Sequence, residues 1–196
     1  FMKYIIPLNN FKIDKALYKS FIDTNFLNSA DLKLLKEKKR WHNNFNVSDD
    51  IKKSVGPISN HLKDVILILS LFPKYNIKVH ADGAGTALNN TYNVSINIPI
   101  ENCTEKTKTV FWDFPDERPI EYIHHEKLGT RQIVNQEQLE RKQEYIFKDT
   151  AVLFRNEYPH SVENECDDLR LMLSWRFKPE YSWNQAFELC KHYGLT

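Results

Sequence analysis

Apolar positions Ile13, Leu17, Phe21 and Ile22 recur at helical spacing, with Asp14 placed to cap the first turn, so an amphipathic helix is predicted over residues 13–26. A second, charged helical stretch is predicted over 31–40. A third begins near Ser54, where Val55, Ile58, Leu62 and Val65 continue the pattern and Pro57 sits early, where a helix tolerates it. Up to about residue 65 the chain is therefore expected to be mainly helical. The pattern then changes. Residues 65–72 (VILILSLF) form an unbroken apolar run stopped by Pro73, and residues 75–79 alternate briefly before His80. Residues 92–100 alternate throughout, with Val94, Ile96, Ile98 and Ile100 on one face and Asn93, Ser95, Asn97 and Pro99 on the other. Residues 107–114, rich in Thr and aromatics, read as a further strand.

Residues 115–143 are polar and carry two prolines and a glycine. They read as a long loop or lid with one helical turn near 136–141, a length of loop that is commonly functional. Short strands follow at 145–147, 151–155, 160–162 and 169–177, separated by turn chemistry at Lys148-Asp149 and at 164–168. A C-terminal helix over 182–192 is capped by Ser182 and ended by Gly194. Seven or so turn-punctuated strands preceded by helices imply a mainly β protein with flanking helices. The expected architecture is a double-stranded β-helix (jelly roll) with the N-terminal helices packed on one sheet. At 196 residues a single domain is expected: helical support over 1–65, a jelly-roll core over 66–177 and a C-terminal helix over 178–196.

Charge narrows the partners. With 27 basic against 26 acidic side chains the formal charge is +1, so no global field gathers nucleic acid or an anionic membrane. The run Lys33, Lys36, Lys38, Lys39 and Arg40 is interrupted by Glu37 and reads as a solvated helix face. Cys103, Cys166 and Cys190 are odd in number and far apart, which fits reduced thiols rather than a disulfide frame or a zinc knuckle. No apolar run approaches the roughly 18 residues of a membrane span, and the first residues lack the basic-then-apolar layout of a secretion signal. A cytoplasmic protein without membrane association is expected. Its oligomeric state is left open.

The chemistry-bearing stretch is KVHADGAGT, residues 78–86. His80 and Asp82 stand at i and i+2 where a strand runs out into a turn, and strand alternation lets both side chains face one centre. Two imidazoles and one carboxylate suit iron(II), manganese and similar ions and leave coordination positions open. Gly83 and Gly85 let the backbone leave tightly, as they would in a plain turn. The third donor has to come from a distant strand. Among seven histidines, His42 and His61 fall on predicted helices, His192 suits a helix C-terminus, and the adjacent His124 and His125 point apart in the polar loop. His160 opens a strand directly after Pro159.

With His80-Ala81-Asp82, then Pro159-His160-Ser161-Val162, then Arg170 ten residues further on in LRLMLSWRF, the chain resembles the iron(II)- and 2-oxoglutarate-dependent dioxygenases, particularly prolyl-hydroxylase-like and phage-type members. The segments SINIPIENC (95–103) and KDTAVLFRNEYPHSV (148–162) share the likeness, which covers about residues 66–177. The resemblance implies that His80, Asp82 and His160 form the Fe(II) triad and catalytic centre. It also implies that Arg170 holds the distal carboxylate of 2-oxoglutarate, a task for which a planar guanidinium is better shaped than an ammonium. The implied reaction is hydroxylation of a C–H bond in a peptidyl side chain, amino acid or small metabolite, with release of succinate and CO2. Retention of Asp82 argues against halogenation, because related halogenases carry a small residue there.

Where many members place a hydroxyl two residues after the arginine, this chain has Met172, so Asn97, Ser95 and Tyr92 are candidates for a second contact to the co-substrate. Arg176 lies on the same strand face as Arg170 but ranks below it for its distance along the strand from His160. Phe111, Trp112, Tyr122 and Tyr158 are candidate pocket walls or plain core. Arg118, Lys127 and Arg131 are candidate selectivity residues within 115–143. The competing expectation is a catalytically silent jelly roll that binds a metal or ligand or serves as an interaction module.

Overall fold

The computed structural model describes residues 4–27, 36–38, 40–82, 94–125 and 130–196, and its frame is a pair of antiparallel sheets. In chain order the strands are β1 (Ile5–Pro7), β2 (Arg40–Asn46), β3 (Val65–Leu71), β4 (Ile77–His80), β5 (Val94–Glu101), β6 (Thr107–Asp113), β7 (Tyr122–His125), β8 (Thr130–Ile133), β9 (Glu140–Tyr145), β10 (Val152–Arg155), β11 (His160–Asn164) and β12 (Arg170–Arg176). The helices are α1 (Lys15–Ile22), running into a π-helical turn Asp23–Leu27, then α2 (Asp49–Val55), followed by a 3-10 segment Gly56–His61, and α3 (Trp183–His192).

The large sheet has the order β1-β10-β5-β12-β3-β2, and the small sheet the order β4-β11-β6-β9. From β3 to β6, and again from β9 to β12, successive strands alternate between the two sheets. The chain thus winds as a jelly roll, as expected, and each sheet interleaves early and late strands.

Period-2 alternation divides the large sheet into two faces. Val94, Ile96, Ile98 and Ile100 of β5 and Leu171, Leu173 and Trp175 of β12 face outward. They join Tyr18 and Ile22 of α1, Ile51 of α2, Ile58, Leu62, and Trp183, Ala186 and Cys190 of α3 in the main buried cluster. The N-terminal helices do pack on one sheet, and α3 closes the same layer. Ser182 caps α3 with a reciprocal Gln185 contact. The opposite face carries Ser95 and Asn97 of β5, and Arg170, Met172 and Ser174 of β12, all buried in the space between the sheets. Phe111, Phe147, Val152, Phe154 and Tyr4 share that interior.

Several expectations are corrected. The first 65 residues are not helical throughout, because β1 and β2 extend the large sheet at its two edges. The charged helix expected over 31–40 lies largely outside the described residues; residues 36–38 are helical and Arg40 already begins β2. Ser54 falls near the end of α2, which Ser48 caps by accepting from the Ile51 N–H. The segment 115–143 is not one loop. It contains the β7–β8 hairpin, a short 3-10 turn at Gln136–Gln138 and most of β9, which pairs with β6 as the edge of the small sheet. Ile133, Leu139, Tyr122 and Phe114 pack with Val79 and Trp112 over that sheet's outer surface. All three cysteines are buried free thiols.

Candidate metal centre

β4 and β11 pair antiparallel with His80 directly opposite His160, and a bulge between this pair and Val162↔Ile77 shifts the register beside it. The two imidazole centroids are 4.4 Å apart. Asp82, two residues beyond His80, brings Oδ1 to 3.6 Å from His80 Nε2. One ligand atom from each of His80, Asp82 and His160 falls within 4.8 Å of the others. The three residues that the sequence singled out therefore meet, though His160 is buried while His80 and Asp82 are partly open to solvent.

Each imidazole is oriented by its other nitrogen. His80 Nδ1–H donates to the Lys78 carbonyl at 2.9 Å, and His160 Nδ1–H donates to the Tyr158 carbonyl at 2.8 Å. Both Nε2 lone pairs are thereby available to a common centre, the arrangement that fixes tautomer and ring direction in metal-binding histidines. Burial, with His80 adding to it, lowers the His160 pKa from 6.5 to about 4. The His160 ring is thus neutral near pH 7 and needs no proton loss to act as a donor. Two imidazoles and one carboxylate, on a one-sided arrangement with a solvent-facing edge, fit a divalent ion such as iron(II).

The turn between β10 and β11 frames the centre through four consecutive backbone carbonyls. Asn156 O accepts the Asp82 N–H at 2.9 Å, and Pro159 O accepts the Trp112 N–H at 2.9 Å. Glu157 O accepts the Tyr122 hydroxyl. Tyr158 O accepts His160 Nδ1–H, as above. Asp82 lies past the end of β4, so its place depends on this turn and not on the strand ladder.

Deeper between the sheets, His160 makes an edge contact to Phe154 at 5.0 Å, and Phe154 stacks on Phe147 at 6.5 Å. The Arg170 guanidinium carbon lies 5.6 Å from the Phe147 centroid. Arg170 is 6% exposed, one Nη contacts the Met172 sulfur, and its Nε has no hydrogen-bond partner. Its charge also counters the rise that burial imposes on the Cys103 pKa. Among the described residues no carboxylate lies within 4.0 Å of Arg170. A buried cation without an acidic partner is costly, and an anionic ligand carboxylate would complete it.

Ser95 and Asn97 are buried on the interior face of β5. The Ser95 hydroxyl lies 2.9 Å from Asn97 Oδ1 and 3.1 Å from Asn156 Oδ1. Tyr92, with Gly83 and Gly85, lies outside the described residues. Phe111 and Tyr158 are interior wall: Tyr4 stacks on Phe111 and meets Tyr158 edge-on. Trp112 and Tyr122 belong to the outer cover of the small sheet, where Trp112 Nε1–H donates to Ser161 Oγ. His61 bridges the Tyr181 and Tyr193 hydroxyls at 2.7 and 2.9 Å, a fastening between the 3-10 segment and the C-terminal layer.

Two further polar residues stand beside the centre, Asn156, which the sequence did not mark, and Arg176, which it weighed only for the co-substrate. Asn156 is 1% exposed and its Nδ2 has no partner, yet nothing in its spacing marks it. Arg176 Nη2 lies 3.9 Å from Asp82 Oδ2. Its distance along the strand from His160 is no measure of its distance in space, because consecutive jelly-roll strands run in opposite directions. The end of β12 returns to the level of His160, while Arg170 sits at the far end.

No family model matches the chain, and no curated protein matches it in sequence. Solved structures with a similar chain path include a viral collagen prolyl hydroxylase from Paramecium bursaria Chlorella virus-1 in its 2OG complex (9% identity, 89% of this chain and 95% of that one, TM-score 0.49). A Pseudomonas putida prolyl-4-hydroxylase is similar at 15% identity over 90% of this chain and 93% of that one, TM-score 0.47. A Burkholderia pseudomallei oxidoreductase of the 2OG-Fe(II) oxygenase family is similar at 12% identity over 89% and 94%, TM-score 0.43. At such identities and scores the likeness is one of chain path, and the chemistry of the site has to come from this chain's own residues.

Proposed function

We propose that the protein is an Fe(II)- and 2-oxoglutarate-dependent oxygenase that hydroxylates a C–H bond of a peptidyl side chain, amino acid or small metabolite. The observation that carries this is the pairing of two features in one interior. A His80–Asp82–His160 donor set stands at its mouth, and the buried guanidinium of Arg170, which has no acidic partner among the described residues, stands at its inner end. A dicarboxylate that chelates at one end and carries a second charge at the other matches that pair.

Bound iron(II) with 2-oxoglutarate and dioxygen would supply the oxidising power for hydroxylation, with succinate and CO2 released. The chain's own residues hold and orient. His80, Asp82 and His160 would supply an imidazole and carboxylate donor set on one side only, which leaves the solvent-facing side for substrate. Arg170 would hold the distal carboxylate, a task to which a planar guanidinium is suited. Thr109 and Tyr145, paired across β6 and β9, offer the interior hydroxyl that Met172 cannot. Phe111, Phe147 and Phe154 keep the space between the two ends dry, which strengthens the ionic contact at Arg170. The β7–β8 hairpin is joined through Tyr122 to the turn that precedes His160, and that link makes it the candidate contact for the primary substrate.

The test is anaerobic loading with Fe(II) and 2-oxoglutarate, followed by oxygen uptake and succinate measurement, beside His80→Ala. Succinate formation in the wild type and its loss in the variant are expected. Absence of both iron and oxoglutarate binding in the wild type would instead leave a silent jelly roll.

A further inference from the structure

We propose that Arg176 is a positioning residue for Asp82: it holds one carboxylate oxygen so that the other is presented to the metal. This rests on the reading of His80, Asp82 and His160 as a metal centre. The two oxygens of Asp82 are already distinguished. Oδ1 lies 3.6 Å from His80 Nε2, on the side of the donor set, and Oδ2 lies 3.9 Å from Arg176 Nη2, on the side of β12.

The need for such a partner follows from where Asp82 sits. It stands beyond the end of β4, with a side chain about one-third exposed, so the strand ladder does not fix its two side-chain torsions. Ordering it costs conformational entropy at each binding event unless the protein has met that cost in advance. A ring of contacts does so. The Asp82 N–H is held by Asn156 O, the Asn156 side-chain oxygen is in reach of the Ser95 hydroxyl, Ser95 pairs directly with Arg176 across β5 and β12, and Arg176 returns to Asp82. Every member but Asp82 is anchored in the large sheet or the turn that leads to His160.

A guanidinium is suited to this role because it cannot lose its charge near neutral pH and its rigid fork of N–H donors matches the geometry of a carboxylate. Held on Oδ2, it turns the carboxylate toward one-oxygen ligation, which keeps the remaining positions of the metal open. Arg170 and Arg176 share one interior face of β12 but divide the work: the inner one answers a ligand carboxylate, the outer one the protein's own.

The experiment is a Co(II) titration of the full chain, anaerobic and without co-substrate, reading both Kd and the visible ligand-field spectrum. It covers wild type, Arg176→Gln, Arg176→Lys and Asp82→Ala, with metal-free melting curves for each. Arg176→Gln is expected to weaken Co(II) binding about 10- to 100-fold and to change the spectrum. Arg176→Lys keeps the charge without the fork; it should recover much of the affinity with an altered spectrum, and it serves alone if the Gln variant does not fold. Wild-type Kd and spectrum in the folded variants overturn the proposal while the metal centre stands. Equal Co(II) binding by wild type and Asp82→Ala overturns the metal-centre reading itself, and the role of Arg176 with it.

Discussion

Replacing Arg170 with methionine should separate binding from stability with opposite signs. The guanidinium is 6% exposed and its Nε is unpartnered; its neighbours are a thioether, an aromatic ring and a buried thiol. Removing such a charge from water costs several kcal/mol that these contacts do not return, and hydrophobic replacements of buried charged groups are neutral or stabilising by about 1–4 kcal/mol. Ligand-free Arg170→Met should therefore unfold at the same or a higher denaturant concentration than wild type. A bound carboxylate would lose two charge-assisted hydrogen bonds of about 1.5–3 kcal/mol each, so 2-oxoglutarate affinity should fall by about 10²- to 10⁴-fold. The assay is urea denaturation without ligand beside calorimetric titration of oxoglutarate into Mn(II)-loaded protein. Wild type at a hundred times Kd should gain about 2.7 kcal/mol from the ligand, and the variant almost none. A variant that loses about 3 kcal/mol of ligand-free stability yet binds oxoglutarate as wild type does would refute the argument, because Arg170 would then be a structural cation.

Metal-free stability should fall with acid through His160. Its pKa is lowered by burial from 6.5 to about 4, so between those values the unfolded chain binds a proton that the folded chain refuses. Stability is lost as pH drops through that window, by roughly 3 kcal/mol in all; an unchanged slope in His160→Gln between pH 6.5 and 4 would show that another group is responsible. Tyr4→Phe removes a 2.7 Å hydrogen bond from the Tyr4 hydroxyl to Asp113 Oδ2 between the sheets and should cost about 1–3 kcal/mol in denaturation, with no cost counting against a buried, hydrogen-bonded pair. Ser182→Ala removes the capping box of α3 and should cost about 1 kcal/mol by the same measurement; a much smaller loss would mean that packing of Trp183 and Cys190 alone sets the start of the helix.

The strands legible from the pattern were those with one face on the helix layer, such as β5 and β12, where alternation between apolar and polar positions is imposed by two different environments. β2 (RWHNNFN) and β9 (ERKQEY) lie at the edges of their sheets. An edge strand draws its identity from one hydrogen-bonded neighbour rather than from burial on both sides, so polar segments like these read as helix or loop.

The chain by itself determined the jelly-roll class and the caps of α1 and α3, because these depend on local periodicity and on residue type at fixed spacing, whereas His80, Asp82, His160 and Arg170 were singled out by resemblance to a known family. Only the tertiary structure decided which donors meet. The pairing of His80 with His160, the carbonyl frame from Asn156 to Pro159 and the return of Arg176 to Asp82 all follow from antiparallel strands crossing between two sheets. Separation along the chain carries no information about distance once each strand reverses the one before it.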